Sequence, residues 1–390
     1  MKNLLNLLLI AALFSACNGS SEKKHADSDG ATTKKTAMNK LSGQAIKVRD
    51  YVPDDMVFAH RGSTYWTPEE TEASLRWARN IGADYLEFDL QKTKDGFLIA
   101  LHDSNLSRTS NVREVFPERA DSAAIYFTLK ELRQLDIGSW FNGANPDRAR
   151  KAYAGLKILT FKDVIKIAEG YRLKKGKDGL PEKEIKDGEW TGFYIYEKDP
   201  QDNGNRPGLY AETKKPDCEK LIAKELTETG WNINKNSKTI KTTPGKIGLA
   251  NTNGRFILQT FSPESAIKLE ALLPNIPKCL LLWQPEMKDD LKGNYQKAID
   301  FCIKNNVHFI GSSIAGPPNN YKELNAPWMV DMVHGAGLKI HAYTFDTWEQ
   351  FKTYGKKVDG AFTNRSDIAL EFYGRKSEKS AEDILKELGY

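Results

Sequence analysis

Five residues constrain the fold of this chain more than any others. From residue 56 onward, short apolar runs recur: MVFAH (56–60), DYLEFDL (84–90), FLIALHD (97–103), GLYAET (208–213), RFILQTF (255–261), KCLLLW (278–283), HFIGSS (308–313), KIHAYTF (339–345) and GAFT (360–363). Helical patterns such as ETEASLRWARNIG and PESAIKLEALL stand between most of them. Alternation of this kind argues for an α/β fold with a parallel sheet. Nine strands are one too many for a closed (β/α)8 barrel. Only KTKDG (92–96) separates the second run from the third, whereas a parallel crossover needs about a dozen residues or more. Those two runs must be antiparallel, or one bent ribbon, which leaves eight parallel strands. A TIM-type (β/α)8 barrel over residues 51–375 is the expected fold.

Two segments break the alternation. Residues 173–208 are rich in Lys, Asp, Gly and Pro around a short FYIY run, and residues 231–254 are rich in Asn, Lys and Gly. Both read as long loops, the first with a small hairpin and forming an insertion of about 35 residues before the third parallel strand; loops of such length are often functional. The tail, 376–390, reads as a final helix capped by Ser380.

The N-terminus is a separate object. MKNLLNLLLIAALFSAC has one basic residue, an apolar run too short to span a bilayer, and small residues before Cys17. It resembles a bacterial lipoprotein signal, which implies cleavage and lipidation at Cys17, with export and membrane anchoring through the lipid alone. Residues 18–50 read as a polar, disordered tether. Cys218, Cys279 and Cys302 then remain, enough for one disulfide at most. A net charge of +5 with interspersed signs offers no support for a nucleic-acid partner, and nothing indicates a protein partner.

In the second run, strand alternation puts Glu87 and Asp89 on one face. Two carboxylates roughly 5 Å apart at an effective dielectric of about 20 repel by about 3 kcal/mol. They share a proton, face solvent or hold a cation. Barrel active sites lie at the C-terminal strand ends. The polar residues interrupting apolar runs there are His60, Arg61, Glu87, Asp89, His102, Glu212 and Lys214. Three carboxylates without a Cys or His partner suit one hard divalent cation, Ca²⁺ or Mg²⁺.

HRG (60–62), PEETEAS (68–74), GADYLEFDLQKTKDGFLIALHD (82–103) and LYAETKKP (209–216) resemble the glycerophosphodiester phosphodiesterase family, and FILQTFSPES, AYTF and VDGAFTNRSDI are similar to its C-terminal half. GLYAETKKP after a long insert looks closest to the family's exported bacterial branch. The resemblance implies Glu87, Asp89 and Glu212 as metal ligands, His60 and His102 as acid–base catalysts, and Arg61 and Lys214 as phosphate-binding residues. It departs from the family at Glu70, where Asn is usual, at Tyr343 for Trp, and at Asn364 for Asp.

Taken singly, these residues have plainer readings: a strand-end His is usually a hydrogen-bonded structural residue, and Lys214 sits in a charged run. Their joint occurrence in the family's order is what favours chemistry. Glu69 reads either as a substrate contact or as a first-turn helix residue, and Asp103 as a residue that orients either His102 or a turn. Phe261, Trp283 and Tyr343 read as pocket walls or as core. The implied reaction is hydrolysis of a small glycerophosphodiester to glycerol 3-phosphate and an alcohol, one His taking a proton from water or from the substrate's glycerol hydroxyl and the other protonating the leaving oxygen. A phospholipase-like activity on bulkier head groups and a catalytically silent surface binding protein are the alternatives. If the N-terminal reading holds, Cys17→Ser releases the protein from membranes and leaves activity on soluble substrate nearly unchanged. Fractionation checks this: a variant that still sediments with membranes is attached by something other than the lipid.

Overall fold

The computed structural model describes residues 40–390. The signal-like segment with Cys17 and most of the expected tether lie outside them. Each of the nine apolar runs contains a strand. Met56–Ala59, Tyr85–Lys92, Gly208–Thr213, Phe256–Thr260, Lys278–Leu281, Phe309–Gly311, Lys339–Phe345 and Gly360–Thr363 pair in parallel in that order. The first strand closes the barrel by pairing with both the second and the last, with Phe58 opposite Tyr85 and Phe362. Leu98–Ala100 is antiparallel to the second strand, as the five-residue linker requires.

The barrel interior is filled by large side chains, among them Phe58, Tyr85, Tyr210, Phe309 and Phe362. These rings fit because small residues face them. Gly208 lies in register with Tyr85, and a Cβ there would sit 2.3 Å from the Tyr85 ring. His341 belongs to the same layer: it stacks on Phe309 at 3.9 Å between centroids, and its Nδ1 shares a hydrogen bond with the Tyr210 hydroxyl at 2.9 Å. Burial holds its pKa well below the usual imidazole value, so it stays neutral. A second core, between barrel and helices, mixes aliphatic side chains such as Leu86 and Leu90 with aromatic ones such as Phe88 and Trp77.

The structure corrects the expected extent of the tether and adds detail to the insertion and the cysteines. The polar tether does not run to residue 50: Gly43–Arg49 is a helix capped by Ser42, with Leu41, Ala45 and Val48 buried. The apolar positions 41, 45 and 48 make a helical stripe that the surrounding polar composition obscures. Segment 173–208 holds the small hairpin, Lys183–Lys186 with Glu189–Tyr194, and a second antiparallel ladder, Tyr171–Leu173 with Tyr196–Lys198, flanks it. Cys218, Cys279 and Cys302 are all buried and free. The last helix, Ala381–Glu387, is capped by Ser380 and packs on helix Glu72–Ile81, where Trp77 Nε1 donates to the Ala381 carbonyl. Among the described residues no helix is long and apolar enough to cross a membrane.

One buried ion cluster ties the insertion to the barrel. Asp199 accepts from Arg76 at 2.7 and 2.8 Å and from Arg79 at 2.6 Å, all three side chains being fully buried. Arg76 also donates to the Tyr390 hydroxyl. Removing one member of such a set leaves uncompensated buried charge. Asp199→Ala is therefore expected to destabilise the protein by about 3–5 kcal/mol, seen as a lower urea midpoint. A midpoint within error of wild type would mean that the cluster does not hold the insertion in place.

Candidate active site

The acids of the second and third parallel strands meet inside the barrel mouth. Asp89 lies in register with Glu212, Glu212 with Gln259, and Glu87 with Tyr210. Beneath them the aromatic layer excludes water, and Asp89 is 1% exposed. The turn after the first strand, His60–Gly62, brings cationic and donor groups to these acids. Arg61 has left-handed backbone (φ 50°), and its N–H donates to Glu87 Oε2 at 2.7 Å. Gly62 follows at φ 83°, where a Cβ would fall 2.4 Å from Ser74 Oγ, so this turn takes no larger residue. Gln259 donates to the other Glu87 oxygen at 2.8 Å.

Electrostatics here are set by burial and crowding. Burial first, then the Asp89 charge, pushes Glu87 upward and Glu212 up to about 8. Asp89 goes the other way: the burial penalty is outweighed by Lys214, His102 and Arg61, which hold it well below the usual carboxylate range. Lys214 Nζ lies 2.9 Å from Glu212 Oε1 and 3.5 Å from Asp89 Oδ1, and Arg61 Nε lies 3.5 Å from Asp89 Oδ2. No trio of Asp, Glu, His or Cys among the described residues is drawn up to metal-ligand spacing. The donor set nonetheless fits a hard cation. It is all oxygen, and both Asp89 carboxylate oxygens are buried without a hydrogen-bond partner.

The two histidines have different partners. His60 Nδ1 lies 2.8 Å from Asn364 Oδ1, and the Asn364 amide nitrogen donates to Asp346 at 2.8 Å. That second bond orients the amide, so His60 carries its proton on Nδ1 and keeps Nε2 free. Burial, and then the Arg61 charge, lowers the His60 pKa to about 3, so it is neutral. His102 Nδ1 instead faces the Asp103 carboxylate at 2.7 Å. Asp103 also accepts from Arg108 at 2.5 Å and stays ionised, held low first by its bond to His102. Gln91 donates to the Leu101 and His102 carbonyls and fixes the backbone that carries this second imidazole.

His60, Arg61, Glu87, His102, Glu212 and Lys214 line one cavity of about 540 Å³, and Asp89 sits buried against Arg61 and Lys214. Phe261, Trp283 and Tyr343 wall its other side, with Phe261 edge-on to Trp283 at 5.8 Å. Glu69 is not a helix residue, since the helix starts at Glu72 behind the Thr71 cap; it pairs with Arg108 at 2.6 Å and with Arg61 at 3.5 Å. The departure at residue 70 therefore leaves the helix start intact. Sequence reasoning missed Gln259, Tyr321, Asp346 and Arg108. Gln259 was detectable, being a polar residue at the end of an apolar run. The others act through loops whose approach no local pattern encodes.

An eight-stranded parallel barrel with two imidazoles, two cations and clustered carboxylates at its C-terminal rim is equipped for phosphate ester chemistry. The glycerophosphoryl diester phosphodiesterase family model matches residues 60–192 and 204–368. A glycerophosphodiester phosphodiesterase of Bacillus subtilis is 31% identical over 314 residues, covering 80% of this chain and 84% of that protein. A mouse glycerophosphoinositol inositolphosphodiesterase is 38% identical over 110 residues, 28% of this chain and 20% of its own. An Oleispira antarctica phosphodiesterase, solved with its product sn-glycerol 3-phosphate, shares the fold with TM-score 0.53 at 19% identity, over 84% of this chain and 99% of that one. The chain belongs to the glycerophosphoryl diester phosphodiesterase family.

The neutral Asn364 partner has a checkable consequence. Asn364→Asp puts a carboxylate against Nδ1 and stabilises the imidazolium, so His60 takes up its proton at a higher pH than wild type. NMR titration of the ring reads this directly. An unmoved titration would mean that residue 364 does not contact His60 in solution.

Proposed function

We propose that the protein hydrolyses glycerophosphodiesters to glycerol 3-phosphate and the head-group alcohol, with His60 as general base and His102 as general acid. The observation that carries this reading is the pair of imidazoles on one cavity, each tied at Nδ1 to a different kind of partner. A neutral amide behind His60 leaves its free Nε2 as a proton acceptor. A carboxylate behind His102 balances the charge of an imidazolium that can donate to a leaving alkoxide. Arg61 and Lys214 would hold the non-bridging phosphate oxygens, and the aromatic wall keeps that side of the cavity apolar. Glu87, Asp89 and Glu212 would hold one divalent cation, Ca²⁺ or Mg²⁺, which when bound neutralises phosphate charge. The product bound in the Oleispira structure is the one this reading predicts. Export and lipid anchoring at Cys17 belong to the same proposal and rest on the N-terminal sequence.

Incubation with glycerophosphocholine should release glycerol 3-phosphate and choline, and a chelator should abolish turnover. Replacing either His by Ala should cost on the order of 10²–10⁴-fold in kcat/KM. A nitrophenyl glycerol phosphate separates the roles, because its phenolate leaves with little need of a proton. His102→Ala should recover most of its rate on this substrate, and His60→Ala should not. Recovery by His60→Ala would exchange the two roles. Full activity in chelator would remove the cation from the reading.

A further inference from the structure

Glu70 is the residue that the site described so far leaves unused. It lies between the His60–Gly62 turn and the helix that starts at Glu72, and its N–H donates to the Arg61 carbonyl at 2.9 Å. Its backbone is left-handed (φ 55°), a conformation that Gly, Asn and Asp adopt more readily than Glu. The side chain is 2% exposed. Oε1 accepts the Asp89 N–H at 3.2 Å, while Oε2 is buried with no partner. The two Asp89 oxygens are likewise buried and without hydrogen-bond partners. The bond from the Asp89 N–H accounts for one oxygen of this long acid on left-handed backbone; the other lies buried beside the Asp89 carboxylate with nothing to satisfy it.

We propose that Glu70 is a fourth carboxylate of the cation site, acting with Glu87, Asp89 and Glu212. The inference rests on the reading that a divalent cation binds among those three. Charge balance supports it. Ionised together, the four carboxylates would exceed the two cations Arg61 and Lys214 by two negative charges inside a nearly dry barrel mouth. One divalent cation brings that set to neutrality. The competing arrangement is a neutral Glu70 that donates its proton to Asp89 and takes no part in binding the cation.

Glu70→Gln distinguishes the two. The amide keeps the size of the side chain, an oxygen for the Asp89 N–H and a donor for the Asp89 carboxylate, and it removes the charge. Isothermal titration of metal-free protein with Ca²⁺ and with Mg²⁺ supplies a readout independent of activity. For whichever cation wild type binds, Glu70→Gln is expected to bind roughly 10–100-fold more weakly, the loss typical when a partner is removed from a metal site. Glu70→Asn, comfortable at this φ, should show the same loss, and circular dichroism establishes that each variant is folded. Affinity equal to or tighter than wild type in either folded variant overturns the role of Glu70 while leaving the three-carboxylate site intact. Failure of the wild type to bind either cation overturns both readings.

Discussion

Asp89 is a carboxylate with almost no access to water and no hydrogen bond to either oxygen. An isolated buried charge of that kind costs several kcal/mol, so the surrounding groups are arranged to answer it. The turn at His60–Gly62 adopts left-handed backbone and delivers Arg61 from one side. Lys214, at the end of the third parallel strand, reaches the same acid from the other. The aromatic floor made by Phe58, Tyr85 and Tyr210 keeps the local dielectric low, which strengthens each of these interactions. A phosphate and a cation would enter a field that is already organised, and that is where catalysis by electrostatics draws its strength.

The same fold gives its two imidazoles unlike surroundings. His60 is half-buried and meets an amide; His102, also half-buried, meets a carboxylate that is itself held by Arg108. Two identical side chains thereby meet partners of opposite character, a neutral amide and a carboxylate. Glu69, which pairs with both Arg108 and Arg61, links the rim network to the cation beside Asp89. Substitutions at Glu69 or Arg108 thus act on both ends of the site together.

Much of the architecture was legible from the chain. Strand identity followed from short apolar runs, and the length of KTKDG decided the direction of the third run before any contact was known. Candidate residues were legible for a related reason: the barrel interior is apolar, so a charged residue at a strand end stands out. The insertion was not legible. Its Lys, Asp and Gly content reads as loop, yet Asp199 buries against two arginines from a helix more than a hundred residues earlier. Helix Gly43–Arg49 was missed because three buried residues in a polar stretch are a weak periodic signal.

By itself, then, the sequence determined the number and direction of the barrel strands, the family, and the inventory of acids, bases and cations, because these depend on residue type and on spacing along one strand. Tertiary structure alone decided which groups touch. Asn364 comes from the last strand to set the tautomer of His60, Gln259 crosses from the fourth parallel strand to Glu87, and Glu70 turns in from a loop to lie against Asp89. Each contact joins positions between 19 and 304 residues apart. Local periodicity carries no information at that range; the closure of the barrel creates it, by bringing every strand end to one rim.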